Sequence, residues 1–133
     1  MKYLLTIALF STLWLSCQKN DDNDSPDKLT GTYSGTFNRT GFADSSKVKI
    51  SLGDNQFTGQ SSIAKYPAIC RGSYDLSDQT ISFVDSCAWT ADFDWTLILN
   101  GTYNISFVDD NSIRIWRTNG AVTDEYLLSK MFR

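Results

Sequence analysis

The residues best equipped for chemistry fall in one stretch, Cys70 to Trp95. Cys70 and Cys87 are thiols that can pair with each other, and just beyond them Trp89, Phe93 and Trp95 are interleaved with Asp92 and Asp94. Exposed aromatic rings beside carboxylates suit stacking on a sugar ring or gripping a cationic group. The competing reading is that alternate residues face inward while the aspartates face water. Trp116 is a further candidate contact residue. The chain has no histidine, so the commonest general base and the commonest metal ligand are both missing. No catalytic residue, metal-ligand set or cofactor is assigned, and a non-enzymatic protein is expected. Asp109-Asp110-Asn111 offers oxygen ligands without the spacing of a calcium loop and reads as a turn.

The elements that must position these residues are short strands. Thr32 to Phe37 alternates, Thr40 to Ser46 reads as a loop, and Val48, Ile50 and Leu52 alternate with polar residues before a turn at Gly53 to Gln56. In the next hairpin Cys70, Gly72, Tyr74 and Leu76 share one face and Ile81, Phe83, Asp85 and Cys87 another. A turn at Ser77 to Thr80 sets Leu76 opposite Ile81, Tyr74 opposite Phe83 and Gly72 opposite Asp85. The same register brings Cys70 to Cys87, and in an oxidising compartment a disulfide follows.

Farther on, Thr96 to Leu99 and Thr102 to Phe107 read as strands joined at Asn100-Gly101, with a bulge allowed and the register open. Asp109 to Ser112 turns again, and Ile113 to Arg117 pairs with Val122 to Ser129 across Asn119-Gly120. If that turn is tight, Arg114 faces Glu125. Gly31-Thr32-Tyr33, Gly72-Ser73-Tyr74 and Gly101-Thr102-Tyr103 each open a strand with a glycine before an aromatic, as a strongly bent barrel strand requires.

At 133 residues the chain holds one domain. Its composition is that of an all-β protein, and the hairpin series predicts a small antiparallel up-and-down barrel of about eight strands over residues 29–133. A two-sheet β-sandwich is the alternative. The barrel's own side chains account for most of the 4 Trp, 6 Tyr and 8 Phe. A small apolar pocket at one mouth would be lined by some of Tyr33, Phe37, Tyr74, Phe83, Tyr103, Ile105, Phe107, Ile115 and Tyr126. The formal net charge of −3 disfavours nucleic acid and anionic lipid headgroups as partners.

Ahead of the strands, Tyr3 to Leu15 is apolar behind Lys2 and too short for a membrane span, so residues 1–16 read as a signal peptide. Removing it leaves 11 bases against 15 acids. Ser16-Cys17, a small residue before a cysteine, resembles the processing site of a bacterial lipoprotein precursor, although Trp14 stands where that family usually has leucine and Leu13 lies one position farther back. The resemblance implies cleavage before Cys17, attachment of diacylglycerol to its thiol, fatty-acyl chains such as palmitate, and a membrane anchor in the outer membrane. A secreted product cut elsewhere is the rival.

Residues 17–28 then form an acidic, disordered tether with a reach on the order of 20 Å. Its Lys19-Asn20-Asp21-Asp22 reads either as a plain solubilising linker or as similar to an acidic signal for display at the cell surface. The opening Leu29-Thr30-Gly31-Thr32-Tyr33, with tyrosine where lipocalins carry tryptophan in Gly-x-Trp, resembles the lipocalin-like domains of bacterial lipoproteins. That likeness implies a barrel able to hold a small apolar or glycan ligand. The other class left open is a protein-interaction module: an adhesin, an inhibitor of an external enzyme such as lysozyme, or an accessory subunit of an envelope complex.

Overall fold

A computed structural model describes residues 29–133. The expected signal peptide, the tether and Cys17 lie outside the described residues. The strands are β1 (Gly31–Arg39), β2 (Ser46–Gly53), β3 (Gln56–Ser61), β4 (Arg71–Leu76), β5 (Thr80–Asp85), β6 (Gly101–Asp109), β7 (Ser112–Asn119) and β8 (Val122–Lys130). Each pairs antiparallel with the next, and β8 returns to β1, so the sheet is a closed up-and-down barrel with no free edge. A sandwich is thereby excluded.

The two ends differ. Short turns β2–β3, β4–β5 and β6–β7 make one end, where the chain also enters at Leu29. The long connections 40–45, 62–70 and 86–100, with the β7–β8 turn, make the other. We call these the hairpin end and the loop end. Asp54 and Asn55 have φ of 51° and 59°, the left-handed pair that a two-residue hairpin matched to strand twist requires.

The β4–β5 register is Leu76↔Ile81, Tyr74↔Phe83 and Gly72↔Asp85, as the hydrophobic pattern predicts, and Cys70 is bonded to Cys87. A Cβ on Gly72 would lie 1.9 Å from the Val84 carbonyl oxygen, so only glycine lets the two strands approach here.

Three expectations are corrected. Thr96 to Leu99 is not a strand: Trp95–Leu97 is a 3-10 turn capped by Asp94, and β6 pairs instead with β5. Leu99 is buried, and the Leu99 and Ala68 amides donate to the Ala68 and Leu97 carbonyls at 3.0 Å, so the alternating apolar residues belong to a plug that seals the barrel mouth. At the last hairpin Asn119 pairs with Val122, which sets Arg114 opposite Leu127. This two-residue slip preserves every inward face, and Arg114 Nε still reaches Glu125 Oε2 along the diagonal at 2.6 Å. Finally, the register breaks between Phe107 and Asp109, and Phe107 is 49% exposed instead of lining the interior.

The interior is occupied by the barrel's own side chains. Phe57, Phe83, Tyr103, Tyr126 and Phe37 form a continuous series of ring contacts, with centroids 4.8 to 6.1 Å apart, mostly edge-to-face. Ile50, Ile81, Ile115 and Leu128 fill the spaces between. Tyr33, Tyr74 and Tyr103, the candidate pocket residues, are all buried in this core. Desolvation raises the phenol pKa of each, and for Tyr103 the value reaches about 12. Tyr74 Oη donates to the Leu29 carbonyl at 2.7 Å, which ties down the point of chain entry. Of the residues expected to line a pocket at one mouth, Tyr33 and Tyr103 are core, while Tyr74 also borders a cleft of about 510 Å³ at the hairpin end with Leu29, Asp54, Asn55 and Leu76.

Candidate functional site

The loop end carries the site, and its floor is built from two charged residues in inward positions. Arg39 continues the inward series Tyr33, Phe37 at the end of β1, and Asp124 begins the inward series Tyr126, Leu128 on β8. The two residues are paired across the β1–β8 seam. Arg39 Nε and Nη2 donate to Asp124 Oδ1 and Oδ2 at 2.6 and 2.8 Å, with the side chains only 5% and 7% exposed. Arg39 Nη1 also donates to Asp94 Oδ2 and Thr96 Oγ1 at 3.0 Å, and Nη2 to the Thr96 carbonyl at 3.1 Å. All five guanidinium N–H groups thus have acceptors.

Arg117 adds a second tie. Its Nη1 donates to the Asn100 carbonyl at 2.8 Å and its Nη2 to the Thr96 carbonyl at 3.0 Å, while the guanidinium lies 4.3 Å from the Tyr103 ring centre. The two arginines fasten segment 86–100 to the rim. The Cys70–Cys87 disulfide fixes the other end of that segment to the start of β4.

On this base stand the predicted aromatics. Trp89 Nε1 donates to Asp85 Oδ2 at 2.7 Å, and its ring meets Phe93 edge-on at 5.7 Å. Lys65 Nζ lies 4.9 Å from the Phe93 ring centre and donates to Asp92 Oδ1 and Thr90 Oγ1 at 2.9 Å. The Thr90 hydroxyl, then Lys65, lower the Asp92 carboxyl pKa to about 2. Asp94 is also lowered, first by the Thr96 hydroxyl, then by the Thr96 amide and Arg39. Both aspartates are paired with cations of the chain itself, Asp92 with Lys65 and Asp94 with Arg39, which reduces what they offer a cationic ligand.

Trp95 differs from its neighbours. Its Nε1 donates to the Thr90 carbonyl at 2.9 Å, which fixes the ring, yet the residue is 56% exposed. On one side is a cleft of about 460 Å³ lined by Phe42, Trp95 and Val122 above Arg39, Asp94, Arg117, Asn119 and Asp124. Phe42 and Val122 are themselves exposed, at 59% and 39%. On the other side is a cleft of about 480 Å³ formed by Asp85, Cys87, Ala88 and Trp89 with Trp95.

The structure therefore brings Trp89, Phe93 and Trp95 together at the loop end and separates them from the rest of the predicted set. Trp116 lies on β7 beneath the Arg114 guanidinium, 4.1 Å from the ring centre, and Tyr33, Tyr74 and Tyr103 are core. Phe42, Val122, Asn119, Arg39 and Asp124 were not identified from the sequence. For Arg39 and Asp124 a signal existed: opposite charges continue the inward series of the first and last strands. Phe42 sits in the β1–β2 connection and carries no periodic signal, while Val122, the first residue of β8, shares the parity of Asp124, Tyr126 and Leu128. No family model, curated protein or solved structure matches this chain.

Proposed function

We propose that this is a non-enzymatic bacterial lipoprotein, anchored in the outer membrane through lipid on Cys17 and displayed at the cell surface, that binds an external glycan at its loop end. The observation that carries the reading is Trp95: an exposed ring held in a fixed orientation by its own N–H, with a polar-floored cleft on one side and a more apolar one, edged by Asp85 and Asn100, on the other. A sugar ring presents C–H groups to an aromatic face and hydroxyls to its surroundings. Trp95 supplies the face, while Asn119, Asn100 and the Asp94 carboxylate supply hydrogen-bonding groups at the cleft wall.

Two further features support this arrangement. The barrel interior is filled, so a ligand has to be met on the outside. Leu29, which follows Cys17 by a short stretch of sequence, enters at the hairpin end, so an anchor on Cys17 leaves the clefts facing away from the membrane. The exposed apolar surface of Phe42, Trp95 and Val122 is small beside the roughly 800 Å² that each partner of a standard protein interface buries, which favours a glycan over a protein partner.

Tryptophan fluorescence and calorimetry with a panel of neutral oligosaccharides test the binding, and mass spectrometry of membrane fractions tests the anchor. Trp95→Ala should weaken binding at least tenfold, about 1.4 kcal/mol, with an unchanged unfolding midpoint. Equal binding by Trp95→Ala, or no binding to any member of the panel, sinks the glycan reading. An unmodified, soluble N-terminus sinks the anchor.

A further inference from the structure

We infer that the ligand is an uncharged oligosaccharide of at least two rings, laid across Trp95 so that it occupies both clefts at once. The inference rests on the glycan reading above and specifies it. Its basis is that the two clefts are not independent: Trp95, Ile98 and Asn100 line both. Trp95 is thus a ridge with a hollow on each flank. A single sugar stacked on the indole meets the groups of one hollow only. A chain that crosses the ridge reaches Phe42, Asn119 and Val122 on one flank and Asp85, Ala88 and Trp89 on the other.

The charge of the ligand follows from what the site has left to offer. In the first cleft Arg39 and Arg117 are matched by Asp94 and Asp124, and every Arg39 N–H is already used within the chain. The second cleft adds Asp85 and no cation. Lys65, on the neighbouring 62–70 connection, is held by Asp92. Among the residues that line the two clefts, both arginines are ion-paired, and a carboxylate or sulfate on the ligand would also face Asp85 and Asp94. Hydroxyls and acetamides carry no such penalty: the Asn119 side chain can donate to them and accept from them, and Asn100 Nδ2 can donate while its Oδ1 accepts from the Asp85 amide at 2.9 Å.

The test uses the folded, disulfide-bonded protein and length ladders of neutral sugars, from glucose and N-acetylglucosamine to their linear tetramers of more than one linkage, with oligogalacturonate as the anionic probe. Affinity should rise at least tenfold from monomer to tetramer. Ala88→Phe places a ring in the second cleft from an exposed position, so folding is kept. It should reduce the tetramer-to-monomer ratio below threefold. Asn119→Ala should weaken all lengths through the first cleft. A monomer that binds as tightly as the tetramer, or an Ala88→Phe variant that keeps the full length dependence, overturns the two-cleft inference and leaves the glycan reading standing. Tighter binding of oligogalacturonate overturns the claim of an uncharged ligand. Failure of every ladder overturns both the inference and the function it rests on.

Discussion

Removing Arg39 should unfasten the loop end and cost more stability than any other single polar change in the barrel. In Arg39→Met the Asp124 carboxylate keeps its buried position but loses two hydrogen bonds of 2.6 and 2.8 Å. Breaking a buried pair by deleting one partner costs roughly 3–5 kcal/mol, because an uncompensated charge remains. Here the lower end applies, since Arg117 Nη2 still stands 3.6 Å from Asp124 Oδ2. About 3 kcal/mol is a large share of the roughly 5–15 kcal/mol that a domain has in total. At ~4–8 °C per kcal/mol it lowers the melting temperature by ~12–24 °C.

The double variant Arg39→Met/Asp124→Leu separates the pair's worth from the penalty of orphaning one member. Replacing both charges with apolar groups of similar size is often neutral or stabilising, so the double variant should recover most of the loss. Both are measured by urea unfolding with the disulfide intact. A stability of Arg39→Met within ~0.5 kcal/mol of the parent, the range of surface substitutions, would mean that water reaches Asp124 and that segment 86–100 is not closed over it. A double variant less stable than Arg39→Met would refute the account of the penalty itself.

The remaining predictions concern the disulfide, a glycine and the buried phenols. Replacing Cys70 and Cys87 by alanine opens a loop with a sequence separation of 17, which costs ~3 kcal/mol by chain entropy; parent and variant should unfold at the same urea concentration once reductant is added. Gly72→Ala forces a Cβ against the Val84 carbonyl and the Phe57 ring and should cost at least ~2 kcal/mol, whereas Gly53→Ala, with nothing within 4 Å, should stay within ~0.5 kcal/mol of the parent. Burial raises the Tyr103 pKa from 10.0 to about 12, and that of Tyr126 well above 10.0. A raised folded value means stability that is full below pH 10 and lost as pH rises through about 12; ultraviolet titration should show phenolate appearing in two stages, the later one together with unfolding.

How far the fold can be read from the sequence follows the range of the interactions that decide each part. Leu76, Tyr74, Ile81 and Phe83 are joined by a short turn, so their alternation alone sets the register and brings the cysteines together. At Asn119-Gly120 the same reasoning misplaces the turn, because Gly120, at φ 61°, starts the two-residue loop instead of ending it. Thr96 to Leu99 carries an alternation equally suited to a strand and to a plug. What decides between them is non-local: β5 must pair with β6 for the barrel to close, which leaves 86–100 outside the sheet. The site divides in the same way. Trp89, Phe93 and Trp95 declare themselves by composition, whereas Phe42 and Val122 reach Trp95 only because the β1–β2 and β7–β8 connections share an end with it.

That shared end is a consequence of strand number and direction. In an up-and-down barrel every second connection lies at the same end, and β1 begins at the end opposite to the β1–β2 connection. A chain tethered ahead of β1 therefore presents the β1–β2, β3–β4, β5–β6 and β7–β8 connections away from its tether. Three of these four are long here, and all three connections at the hairpin end are short. Lengthening a connection at the distal end leaves the ladder of the barrel intact, because closure depends on the strands alone. The cost of ordering the longest one, 86–100, is met locally by the disulfide at Cys87 and by Arg39 and Arg117 on the Thr96 carbonyl. The exposed face of Trp95 is what this fastening leaves free, on the side of the molecule that an anchor on Cys17 would turn outward.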